Sequence, residues 1–218
     1  MLQAEAAGVE GMLVCGTAPA DWGLVLELSL RYKNVTPCFG LHPWCATEEG
    51  WLDRLEEFLT REPSCVGEIG LDGLKGLPGH EENFAAQLEL ARKLGRPAVI
   101  HCVKSWGRLP EFLKAAKVPR FMLHAYGGAP ELVRELSELG AYFSFGSELL
   151  DPNREKLRAA LRAAPKDRLL FETEAPERGA GPAAVGGTVA AAAELLGMPH
   201  EELAGLSLAN GLAFIKNL

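Results

Sequence analysis

The sequence predicts an α/β fold built on a parallel sheet, and three observations predict it. Short apolar runs recur in a steady rhythm along the chain, and amphipathic helical stretches fill the gaps between them. The runs are uniformly apolar rather than alternating, as expected of strands buried on both faces. Strand alternating with helix means βαβ units. Seven such strands is one short of a closed eight-stranded barrel. The expected architecture is therefore a TIM-barrel-like (β/α) parallel barrel lacking its first strand, in a single domain over residues 1–218.

The chain begins inside a helical pattern, with Leu2, Ala6 and Ala7 preceding Gly8 as a C-cap. The first strand candidate is Gly11-Met-Leu-Val-Cys15. The second is Val35-Thr-Pro-Cys-Phe-Gly-Leu41, which Pro37 weakens. The others are 65–69, 97–101, 120–124, Ala141-Tyr-Phe-Ser-Phe145 and 168–172. Helical spacing groups Trp51, Leu52, Leu55, Phe58 and Leu59 on one face. It does the same for Phe84, Leu88 and Ala91, and for Leu132, Val133, Leu136 and Leu139. Asp151-Pro152 reads as an N-cap and first helical residue leading into Leu157 and Leu161. A helix over 201–216 is interrupted at Asn210-Gly211. The stretch Gly179–Gly187 reads as a mobile loop near the site.

Composition narrows the function classes. A chain of 218 residues, 48% hydrophobic and 23% charged, is long enough for one sizeable core. No segment approaches the roughly 20 apolar residues that span a bilayer. The start has neither a basic n-region nor a long apolar h-region, so no signal peptide is expected. Five cysteines, none in a Cys-x-x-Cys pair, predict free thiols and a cytoplasmic location. The net charge of −7 argues against broad non-specific nucleic-acid binding but leaves a phosphate substrate open, because a metal ion can supply positive charge locally.

Glu68, His101, His124 and Glu174 each end, or closely follow, a β-like run. A parallel barrel gathers its strand ends at one face, where two imidazoles and carboxylates make a divalent metal site. Glu68 stands in an otherwise apolar strand, where a carboxylate is costly unless paired or metal-bound; a buried ion pair is its other reading. His101 and His124 read as ligands, or else as satisfied core histidines. Glu174 reads as a ligand or as a general base, and Glu172 as structural. His42, before Pro43 and Trp44, reads as a donor to a substrate phosphate or as a loop histidine ordering its turn. Asp72 reads as a partner of a ligand or as a solvated turn carboxylate. Lys104, with Ser105 and Arg108, reads as a phosphate cradle or as a solvated helix start. Trp106 reads as packing, and His80 and His200 as helix-start residues.

These motifs carry a resemblance. Gly40-Leu-His-Pro-Trp44, Gly67-Glu-Ile-Gly-Leu-Asp72, Ile100-His-Cys102, His124-Ala-Tyr-Gly-Gly128 and Glu172-Thr-Glu-Ala-Pro176 stand in the order and spacing of the TatD family, and Asn210 and Phe214 resemble its closing Asn-x-x-x-Phe. The resemblance implies a metal-dependent hydrolase on a TIM barrel, a deoxyribonuclease acting on DNA phosphodiesters through metal-activated water. It implies one or two divalent cations (Mg²⁺, Mn²⁺ or Zn²⁺) and DNA or another phosphodiester as partner. It also implies that Glu68, His101 and His124 hold one metal. The family's opening His-x-His is absent here, Glu174 stands where the family usually has Asp, and Val103 stands where it often has Arg. Those departures imply impaired activity, and they motivate two alternatives: a degenerate, non-catalytic metal-binding barrel, or a hydrolase of small esters or amides. An open barrel edge between strands further implies a homo-oligomer.

Overall fold

The computed structural model describes residues 2–176 and 180–218. Seven strands and nine α-helices run among the described residues in the order α1 (Leu2–Ala6), β1 (Met12–Cys15), α2 (Trp22–Arg31), β2 (Val35–Phe39), α3 (Trp51–Arg61), β3 (Cys65–Asp72), α4 (His80–Leu94), β4 (Ala98–Val103), α5 (Leu109–Ala116), β5 (Phe121–Leu123), α6 (Leu132–Glu138), β6 (Ala141–Phe145), α7 (Glu155–Ala163), β7 (Leu169–Phe171), α8 (Val185–Leu196) and α9 (His200–Phe214). All seven expected strands are present, in an α/β, TIM-barrel-like class of fold. Two compact units divide the chain.

The first unit spans Met12–Leu123 and ends with Ile215–Leu218. Its strands β1 to β5 pair in sequence order, each parallel to the next. Pro37 does not break β2: its Cα is the register partner of Val14. The core strand is β3, where every residue but Glu68 is buried, including Cys65, Val66, Ile69 and Leu71. Burial on both faces explains its uniform apolarity. Cys15, Cys38 and Cys65 are register partners across β1, β2 and β3. Burial, and then the neighbouring Cys15 and Cys65 thiols, push the Cys38 thiol well above its ordinary pKa.

The second unit comprises the segment ending at Gly11 and His124–Phe214. Here β6 and β7 pair in parallel, with Phe143 opposite Leu169 and Phe145 opposite Phe171. Gly8 takes φ +79° just after α1, in the predicted C-cap role.

Three expectations about helices need correction. Asp151 and Pro152 do not start α7, which begins at Glu155; Asp151 follows a short 3-10 turn (Ser147–Leu150), and its side chain accepts the Asn153 N–H. The expected break at Asn210-Gly211 is absent and α9 runs through it. The buried Asn210 amide donates to the carbonyls of Lys166 (2.8 Å) and Leu169 (2.9 Å), so tertiary bonds outweigh its poor helix propensity. The loop expected over 179–187 is helical from Pro182 onward, while residue 179 lies outside the described residues. No helix among the described residues is long and apolar enough to cross a membrane.

Candidate metal centre

In the first unit three strands deliver side chains to one place. Glu68 stands mid-way along β3, where the register with β4 shifts between Val66 and Ile69. His101 stands in β4, opposite Gly70. His42 follows β2, and its backbone is pinned by its own N–H to Thr17 O at 2.8 Å. The fully buried Gln87 of α4 clamps the preceding residue, accepting from Leu41 N (2.6 Å) and donating to Leu41 O (3.1 Å).

Glycines permit this approach. A Cβ on Gly70 would lie 2.0 Å from His101 O, and one on Gly67 would lie 2.6 Å from Val99 Cβ. No side chain fits between the strands there, and Gly70 also takes φ +155°.

The resulting donor set is His42, Glu68 and His101, with one ligand atom from each within 4.8 Å of the others. His101 lies between two carboxylates, with Nδ1 3.1 Å from Glu68 Oε1 and Nε2 3.2 Å from Asp72 Oδ2. Burial disfavours its charge, but the bonds and charges of Glu68 and Asp72 outweigh burial and raise its pKa. Asp72 is itself buried; desolvation raises its pKa, yet hydrogen bonds from Lys75 N, Trp44 Nε1, Leu74 N and His101 bring it down to about 2. One Asp72 oxygen orders the turn and the other faces the imidazole, and the side chain is buried rather than solvated. His42 Nδ1 accepts the Trp44 N–H at 3.3 Å. Its other ring nitrogen, Nε2, faces Glu68 Oε1 at 3.6 Å.

The second unit repeats the device. His124, directly after β5, has Nδ1 2.9 Å from Glu172 Oε2 and Nε2 3.3 Å from Glu174 Oε1. These three residues form a second donor set within 4.8 Å. Glu172 Oε2 also accepts from Ala125 N at 3.1 Å and from Ser144 Oγ. Its other oxygen, Oε1, is buried with no hydrogen-bond partner among the described residues. Ala125 (φ +42°) and Glu174 (φ +54°) are both left-handed, a strained state for non-glycine residues that clusters at functional sites. A cavity of about 400 Å³ adjoins this set, lined in part by Ala125, Gly127, Gly146, Arg154 and Lys156.

Both sets suit a divalent cation. Imidazole and carboxylate are its usual donors. A buried carboxylate oxygen with no partner, such as Glu172 Oε1, is costly unless something positive satisfies it. A second carboxylate on the far nitrogen of each imidazole is the arrangement that orients a ligating histidine.

Each predicted site residue has a place. The structure brings Glu68 and His101 together with His42, and His124 together with Glu174. Lys104 is exposed just past β4 with φ +53°, and Arg108 instead pairs with Glu81 and Glu111. His80 and His200 open α4 and α9 as expected. Sequence reasoning missed the Gln87 clamp, the Trp44–Asp72 bond and the place of Glu172 beside His124. A Trp two residues after His42 was visible, but its partner lies 28 residues further on.

The family described as TatD related DNase matches residues 1–216. The chain belongs to that family. It is 34% identical to the 3′-5′ ssDNA/RNA exonuclease TatD of Klebsiella pneumoniae (strain 342), over 80% of this chain and 70% of the relative. It is 29% identical to the uncharacterized metal-dependent hydrolase YjjV of Escherichia coli (strain K12), over 80% of this chain and 71% of the relative. The crystal structure of YjjV superposes with a TM-score of 0.91 and 27% identity, covering 100% of this chain and 90% of that one. As a TatD-family protein the chain is a metal-dependent hydrolase of ester bonds, and its cofactor is a divalent metal.

Proposed function

We propose that this TatD-family protein hydrolyses phosphodiester bonds of DNA, with one divalent cation held by His42, Glu68 and His101 and another by His124, Glu172 and Glu174. The carrying observation is the repeated arrangement of an imidazole between two carboxylates, completed to a donor set in each unit. Mn²⁺ or Zn²⁺ binds more tightly than Mg²⁺, because imidazole is a poor Mg²⁺ ligand. When bound, the cation supplies Lewis acidity and lowers the pKa of water.

The chain's own groups do the rest. Glu68 and His101 keep fixed positions because Asp72 holds the far side of the imidazole. His42 offers Nε2 to the cation it shares with them, because its Nδ1 already accepts the Trp44 N–H. Within the second unit Glu174, the more exposed of the two carboxylates on His124, orients a water and accepts its proton. Glu172 fixes His124 through Nδ1 and ties it to Ala125 N and Ser144 Oγ. Lys104, Arg154 and Lys156 offset the charge of the polyanion, which a chain of net charge −7 otherwise repels.

The test is end-labelled single-stranded DNA with protein stripped by EDTA and reloaded with Mn²⁺, Zn²⁺ or Mg²⁺. Turnover is expected only in the reloaded protein. Glu68→Ala and His124→Ala should each lose bound metal and about 10²-fold or more in rate. Full turnover and metal content in both variants would overturn the proposal.

A further inference from the structure

We propose that Trp44 is a stacking platform for one nucleobase of a single-stranded nucleic acid, set beside the His42–Glu68–His101 donor set; this rests on the nucleic-acid reading above. Trp22 and Phe39 of the same unit are fully buried, whereas Trp44 is 42% exposed. It is nonetheless held. Its Nε1 donates to Asp72 Oδ2 at 2.6 Å. Its ring packs edge-on against His42, centroids 4.8 Å apart, and against His101 at 5.7 Å. A rigid aromatic face presented at a site loses little freedom when a ligand settles on it.

The surroundings fit a base and its phosphate. The turn after β3 is tied to this point by the bond from Leu77 N to Pro43 O, 2.8 Å. It carries the exposed Leu74 and Leu77 and places Lys75 Nζ 4.5 Å from the Trp44 ring centroid. Lys75 is anchored through its backbone N–H to Asp72 Oδ1, while its side chain is exposed. An exposed cation–π contact is weaker than base–aromatic stacking. A base therefore displaces the ammonium from the ring, and the freed Lys75 meets the adjoining backbone phosphate. Every base has a π face, so the platform tolerates sequence but requires an unstacked base, favouring single strands over duplex.

The experiment compares a base-bearing oligo(dA) with an abasic strand of the same length, using the Mn²⁺-loaded full chain. The wild type should show a KM about 5- to 150-fold lower for the base-bearing strand. Trp44→Leu should lose that difference and Trp44→Phe should keep most of it, with metal content confirming that both fold. In EDTA, oligo(dA) should quench tryptophan emission in the wild type and not in Trp44→Phe. Lys75→Ala should keep the quench while reducing the slope of log KM against log salt by about 0.7. Equal KM for the two strands in the wild type, or a base preference surviving in Trp44→Leu, overturns the platform and leaves the nuclease reading standing. A wild type that cleaves neither strand overturns the nuclease reading, and the platform with it.

Discussion

Asp72 shows how one side chain serves both stability and site. Its two oxygens collect four hydrogen bonds, and its pKa sits at about 2 rather than the ordinary 3.8. A carboxylate depressed in the folded state contributes stability that is present above the unfolded pKa and lost as pH falls through the folded one. That contribution is on the order of 2 kcal/mol. Metal-free protein should therefore lose stability between about pH 4 and pH 2, and urea titrations should show this loss shrinking in Asp72→Asn. His101 runs the other way. Its pKa is raised, so its contribution is complete below the unfolded value of 6.5 and fades as pH climbs through the raised one. Glu174 invites a third measurement. At φ +54° a Glu is strained, and Asp tolerates that region better. Glu174→Asp should keep turnover and match or slightly exceed the wild-type melting temperature, while Glu174→Ala should lose about 10²-fold in rate.

The elements show where sequence reasoning works and where it stops. The seven strands were legible because each is a short apolar run between turn signals; burial on both faces explains that pattern in β3, β5 and β6, while β1 is only half-buried. The place of Glu172 was not. Residues 172 and 174 would share a face only if the chain stayed extended, and β7 ends at Phe171. Beyond it the backbone turns left-handed at Glu174, and both carboxylates face the same imidazole. In the same way His42, Glu68 and His101 could be nominated one by one. Their meeting depends on strand separations that only Gly67 and Gly70 reveal, through atoms no motif displays. Gly70→Ala should cost about 3 kcal/mol or prevent folding, because the clash is with backbone and cannot be relieved by a rotamer. A denaturant midpoint unchanged from wild type would show that β3 and β4 can part. Asn210, read as a helix breaker, is instead a clamp on the carbonyls of Lys166 and Leu169. Asn210→Ala should destabilise the protein by about 1–3 kcal/mol, since both carbonyls lose their donor.

For the molecule as a whole, metal and fold are linked. Each unit keeps carboxylates close to one another or to apolar surroundings, an arrangement the chain tolerates more easily with a cation present. Saturation at about a hundred times the dissociation constant should add roughly 2.7 kcal/mol per site. Differential scanning calorimetry should therefore show the melting temperature rising with added Mn²⁺, and His101→Ala and His124→Ala should each remove part of that rise. The indole of Trp44 shares the oxygen Oδ2 of Asp72 with His101. Any change in the charge on that imidazole reaches the chromophore through one shared atom. The protein thus carries its own optical gauge of cation loading: filling the first donor set should shift the emission of Trp44 without any dye, and the shift should vanish in Asp72→Asn.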